Sequence, residues 1–308
     1  MPEILIIGHI SMDRIRNIHG ERVQPGGAAL YAAMGARTIC KDVDIISAVG
    51  EDFKFNEILL NFSMVKRIKG RSTSFFIIYD KDWNATYKEA FIGVGAKITT
   101  KDLLRALNYN VKAIHIAPMN PPKVEKMIRE VKGKYKNIII SLNSSIHYLN
   151  KSINRRAIIN AAHLSDIFIL NERELHALTE VEVTSEALKL IKSKILVLTL
   201  GEIGTIIKFE EGIEFIPAMA GITRNLLDVT GAGDTWAGSF LASYLKNNNW
   251  NRAVSFASMI SAIKCTGWNF EKIKNLSFKS LEEVYEYALT FKEKGRQLTL
   301  TDIIKKLE

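Results

Sequence analysis

The stretch DVTGAGDTWAGSF, residues 228–240, sets Gly231, Ala232 and Gly233 directly before a carboxylate, Asp234, where a helical pattern begins. Residues without bulk let backbone N–H groups turn inward and approach a ligand closely. Because a helix follows, those donors stand at its positive end, which suits a phosphate or a developing anion. Asp234, in the first helical turn, is expected to point at the same spot. An acid beside an anion hole suggests phosphoryl transfer, the carboxylate taking a hydroxyl proton while the backbone holds phosphoryl oxygens. A helix N-terminus also favours the ionised acid, so the expected base is available but weak. An ordinary helix start with an acidic first turn fits the same residues. The stretch is not a dinucleotide fingerprint, since it lies late in the chain and lacks a third glycine at the required spacing; no Walker A sequence occurs either.

Upstream of this stretch, short apolar runs recur at 3–10, 43–49, 113–117, 137–142, 167–170 and 195–200. They are rich in Ile and Val, as expected of strands buried on both faces. Helical patterns fall between them, at about 27–40, 121–134, 154–163, 172–180 and 184–193, and further ones follow at 231–245, 251–265 and 281–291. This alternation predicts an α/β fold, a mainly parallel central sheet with helices on both faces. Segments at about 12–25 and 71–92 do not fit it. They alternate around polar turns at His19-Gly20 and at 80–84, and are expected to form a small antiparallel β lid inserted into a single domain spanning 1–308. In such sheets ligands sit beyond the carboxyl ends of the strands.

Composition narrows the function classes. With 47% hydrophobic and 24% charged residues and only six prolines, the 308-residue chain has the balance of a globular protein. The apolar run near the N-terminus follows no basic segment, no stretch reaches bilayer length, and Cys40 and Cys265 are the only cysteines. A cytoplasmic protein with reduced thiols and no membrane partner is expected. The net charge of +9 is spread along the chain without an aromatic and basic RNA motif, so no specific nucleic-acid partner is expected.

The 228–234 motif, with Gly238 and Phe240, resembles the C-terminal signature of the ribokinase-like (PfkB-type) carbohydrate kinases. Five further segments resemble that family in the same order: GHISMD from Gly8, PGGAALYAA from Pro25, AVGEDF from Ala48, NERE from Asn171 and LTLGEIGT from Leu198. The resemblance implies ATP and Mg²⁺ as cofactors and a small-molecule sugar, sugar acid, polyol or nucleoside as acceptor. It implies Asp234 as catalytic base, Gly231, Ala232 and Gly233 as anion hole, and Asp13 with Gly26 and Gly27 at the substrate. Asn143, after an apolar run, is a further substrate-reading candidate, although a loop Asn satisfying local backbone fits equally. Asn171 and Glu174 match the family's Asn-x-x-Glu motif and would hold Mg²⁺ through water, while their spacing equally fits a capping box. Thr199, Gly201 and Gly204 would line the nucleotide, with Ser258 and Gly267 near the adenine. Where many sugar kinases carry Asn after the diglycine, this chain has Ala28 and Tyr31. The compact segment before the diglycine looks closer to inositol-kinase-like and archaeal nucleoside-kinase branches. For a nucleoside, Tyr31, Phe75, Tyr87 or Phe91 would supply a slot for the base. Exposed ribbon edges could pair two lids into a homodimer, and a buried edge within one chain would serve as well.

Overall fold

A computed structural model of the protein describes residues 2–218 and 226–289. The chain opens with β1 (Ile4–Ile7), β2 (Ser11–Asn17), β3 (Gly20–Gly26), α1 (Ala28–Arg37), β4 (Val43–Gly50), α2 (Asn56–Leu59) and β5 (Val65–Ile68). It continues through β6 (Thr73–Tyr79), β7 (Ala85–Phe91), α3 (Thr100–Ala106), β8 (Ala113–Ile116), α4 (Pro121–Lys134), β9 (Ile139–Asn143) and α5 (Ser152–Leu164). Then come β10 (Ile167–Asn171), α6 (Glu172–Thr179), α7 (Thr184–Leu190), β11 (Ile195–Thr199), β12 (Gly204–Phe209) and β13 (Gly212–Pro217). Three helices close it: α8 (Ala232–Asn247), α9 (Trp250–Cys265) and α10 (Leu281–Leu289). The helical pattern at 281–291 is thus met as far as 289, and its last two residues lie outside the described residues.

Nine strands form one sheet in the order β13-β12-β11-β10-β9-β8-β1-β4-β5. From β5 to β11 every pairing is parallel; β12 and β13 are antiparallel additions at one edge. The six apolar runs became β1, β4, β8, β9, β10 and β11. Successive residues of one strand feed different cores. In β1, Ile4 and Ile6 join a cluster with α1, α8 and α9, whereas Leu5 and Ile7 join a second with α3 to α7. That is why these strands read as continuous apolar runs rather than alternating ones. One polar pair breaks the pattern at the centre, where His115 of β8 lies opposite Ser141 of β9, with Nδ1 3.1 Å from the hydroxyl.

The expected ribbons are present, β2 with β3 and β6 with β7, each antiparallel. They are joined by a parallel pairing of β2 with β6 into a four-stranded sheet, β3-β2-β6-β7. Ile15 and Ile77 anchor its inner face against Trp268, which follows α9. Below it, α1 and α8 cross closely. A Cβ on Gly238 would lie 1.9 Å from the Ala32 carbonyl oxygen, so only glycine permits this approach. No helix among the described residues is long and apolar enough to cross a membrane.

Candidate active site

Between the small sheet and the carboxyl ends of β9, β10 and β11 lies a cavity of about 920 Å³. Asn143, Asn171 and Thr199, the last residues of those three strands, line it, together with residues 229–234 at the start of α8. Phe75, Ile77, Tyr79 and Tyr87 of the small sheet roof it.

Gly231 caps α8 at φ +69°, a left-handed conformation that disfavours any side chain, and an added Cβ would fall 2.2 Å from the Tyr31 ring. Among the described residues the amides of Gly231, Gly233 and Asp234 have no acceptor, as expected of a first helical turn. Ala232 differs, because its N–H donates to the Val229 carbonyl at 3.1 Å. The amides left without an acceptor at this helix start are therefore those of 231, 233 and 234 among the described residues. Nothing within 4 Å would meet a Cβ on Gly233, which faces open space.

Asp234 is half-buried beside Asn143. Burial pushes its pKa up to about 6, while the nearby Asn143 side chain opposes the shift. The sequence favoured a weak, fully ionised acid, and desolvation outweighs the helix terminus. Asp13, on β2, is 2% exposed. Its pKa is pushed up to about 7, chiefly by burial and slightly by Asp228, while the nearby Ser11 hydroxyl and the Phe75 and Gly27 backbone oppose the shift. Its Oδ1 is buried without a hydrogen-bond partner among the described residues. Such an orphaned acceptor at a cavity wall is costly unless a ligand hydroxyl completes it. Gly26 makes room for this carboxylate, since a Cβ there would stand 1.9 Å from Asp13 Oδ2. Gly27, at φ +95°, lets the chain pass the His9 carbonyl.

Asn171 and Glu174 form a full capping box: Asn171 Oδ1 accepts from the Glu174 amide at 2.9 Å and Glu174 Oε2 accepts from the Asn171 amide at 3.1 Å. Both also line the cavity. Burial pushes Glu174 up to about 8, with the nearby Asp234 adding to it and backbone hydrogen bonds from Asn171 and Ile146 opposing it. No group of three or more acidic, His or Cys side chains that could cage a metal occurs among the described residues. The donors present fit Mg²⁺ held through water and nucleotide phosphates, the ion's usual mode.

Asp13, Gly27, Asn143, Asn171, Glu174, Thr199 and residues 231–234 thus meet around one cavity. Gly201, Gly204, Ser258 and Gly267 stand outside its lining; Ser258 accepts a hydrogen bond from Trp236 Nε1 at 3.2 Å. Of the four aromatics expected as a base slot, Phe75 and Tyr87 face the cavity. Tyr31, buried beneath Gly231, lines it as well, whereas Phe91 lines a separate depression with Arg14 and Arg71. Sequence reading missed His147, whose ring lies 4.0 Å from that of Tyr87, and Arg173. Arg173 lay within the quoted NERE tetrad; His147 had no local signal.

A profile of the pfkB family carbohydrate kinases matches residues 1–269. A cytidine kinase of Thermococcus kodakarensis is 27% identical over 254 residues, covering 79% of this chain and 89% of that protein. Among solved structures, a Burkholderia thailandensis nucleoside kinase in complex with inosine superposes with a TM-score of 0.75 at 19% identity, covering 93% of this chain and 99% of that one. A ribokinase of Giardia lamblia gives a TM-score of 0.77 at 15% identity, covering 92% and 100%.

Proposed function

The chain belongs to the pfkB family of carbohydrate kinases and is a phosphotransferase with a hydroxyl acceptor; from that premise we propose that it moves the γ-phosphoryl group of ATP to a hydroxyl of a nucleoside or sugar. The observation that carries this is that Asp234 lines one cavity together with residues 231 and 233, and that the amides of 231, 233 and 234 have no acceptor among the described residues. Asp13 accepts hydrogen bonds from acceptor hydroxyls and orients the reacting one toward Asp234. As the acceptor oxygen bonds to phosphorus and the bond to the ADP oxygen breaks, the hydroxyl proton passes to Asp234. The transition state is loose, so proton removal comes late and positioning dominates. Charge on the phosphoryl oxygens is met by the amides at the positive end of α8. Asn171 and Glu174 would hold Mg²⁺ through water, and the ion would neutralise phosphate charge. Thr199, Gly201 and Gly204 would line the ribose and phosphates of the nucleotide, with Ser258 and Gly267 near its adenine.

Between the acceptor classes, the aromatic roof of Phe75 and Tyr87, with His147 beside it, favours a nucleoside, because a base gains from stacking and a polyol does not. A sugar, sugar acid or polyol is the second reading, favoured by the polar floor around Asp13. ADP release measured with cytidine, inosine, ribose, inositol and ketodeoxygluconate separates them: nucleosides should be turned over, and turnover of sugars alone would reverse the order. We further propose that residues 1–308 act as a single domain in the cytoplasm with the small sheet as its lid, shielding the phosphoryl group from water. Two copies would pair through β7, whose residues are exposed throughout.

A further inference from the structure

Lys264, in the last turn of α9, is wholly buried. Its ammonium donates to the carbonyl oxygens of Asp228 at 2.7 Å and Thr230 at 2.5 Å, and lies 3.5 Å from Asp228 Oδ2. Two of its protons thus meet carbonyl oxygens and the ammonium pairs with a carboxylate, all just upstream of Gly231. The Asp228 carboxylate, equally buried, also accepts from the Thr230 amide at 2.9 Å and from Gln24 Nε2 and the Asn269 amide at 3.0 Å each. Burial alone would raise the pKa of Asp228, but Lys264 and these hydrogen bonds outweigh it and hold the group below the ordinary carboxylate value. A buried ion pair is a poor source of net stability, because desolvation offsets much of the attraction. A cation at this place in the fold therefore calls for a role beyond packing.

The peptide unit between Thr230 and Gly231 supplies one. A trans peptide carries its C=O and N–H on opposite sides. With the Thr230 carbonyl held by Lys264, the Gly231 N–H is aimed away from α9, and Gly231 lines the cavity. A cation on the carbonyl also polarises the unit and strengthens the donor at its other end. We propose that Lys264 is a positioning residue, a cation built into the chain that fixes the turn at 230–231 and reinforces its amides as the anion hole. This inference rests on the kinase reading for its catalytic consequence, but the turn's hold on an anion can be measured without turnover.

The experiment compares wild type with Lys264→Met, Lys264→Ala and the charge-neutral pair Lys264→Met with Asp228→Asn, using ADP release and calorimetric binding of inorganic phosphate in the presence of ADP. In Lys264→Met, kcat should fall about 10²-fold, the scale of losing one oxyanion donor. ADP affinity should stay within a few-fold, and phosphate binding should weaken. Ethylammonium should restore part of kcat in Lys264→Ala and none in Lys264→Met. If Lys264→Met unfolds, the neutral pair leaves no lone buried charge and should show the same losses while folded. Wild-type kcat and phosphate affinity in a folded variant would overturn the proposal, as would a Lys264→Ala loss that ethylammonium does not touch. Phosphate binding that depends on Lys264 in a protein without turnover on any acceptor would instead sink the kinase reading and leave Lys264 in its role.

Discussion

Arg173 Nη2 donates to Asn84 Oδ1 at 2.8 Å, tying the first turn of α6 to the polar turn between β6 and β7. The bond joins the two sheets beside the cavity, with the cation on the main-sheet side and a residue of the small sheet's turn as its acceptor. Arg173 also lines the cavity. The Tyr87 and His147 rings make a second bridge of the same kind.

Arg173→Ala should therefore loosen closure. KM for the acceptor is expected to rise and ATP hydrolysis without acceptor to increase, because an ajar lid admits water as a competing nucleophile. Asn84→Ala should reproduce the leak with a smaller effect on nucleotide affinity. Equal coupling of ADP release to product in wild type and both variants would show the bond to be ornamental.

Asp234→Asn should lower kcat by about 10²–10⁴-fold, the usual worth of a positioned acid or base, with ATP affinity nearly unchanged. In the wild type, kcat/KM should fall tenfold per pH unit below about 6, where Asp234 takes up a proton. A profile flat down to pH 5 would remove Asp234 from the role of base.

The two glycines flanking Ala232 should fail in different ways. Gly231→Ala forces a left-handed conformation that costs about 1–2 kcal/mol and drives a methyl into the buried Tyr31 ring, so its melting temperature should drop. Gly233→Ala meets nothing within 4 Å and should melt like wild type. Its methyl would stand in the cavity, and the expected loss is in turnover alone.

Asp13→Asn should cost activity and raise stability in a pH-dependent way. The wild-type carboxyl titrates near 3.8 unfolded and about 7 folded. Its contribution to stability is complete below 3.8 and is lost as the pH rises through 7. The loss amounts to about 1.4 kcal/mol for every pH unit between those two midpoints. The asparagine has no such loss. The gain in melting temperature over wild type should be largest at pH 8 and small at pH 5; an equal gain at both would mean that the buried charge is not its cause.

The main sheet was legible because its strands are apolar on both faces and separated by helical periods; the carboxyl end of β9 then led to Asn143, whereas Asn171 was found through the resemblance of NERE to a family motif. The four-stranded sheet was harder to read. Its two ribbons were visible as alternation around turns, but the parallel pairing of β2 with β6 joins segments roughly sixty residues apart and leaves no local mark. Short elements such as β5 and α3 escaped for want of a full period. At the site, small residues before an acid pointed to the bare helix start at 231–234. Lys264 did not announce itself, because a lone lysine in an apolar helix reads as surface until the carbonyls that surround it are seen.

His115 and Ser141 carry a consequence for how the chain finds its alignment. In a strand that is oily on both sides, sliding by a single residue exposes no hydrophobic side chain, so burial alone is nearly indifferent to the shift. A polar key at one rung supplies the missing instruction, since only one alignment of β8 and β9 lets the imidazole and the hydroxyl find each other in the dry centre of the sheet.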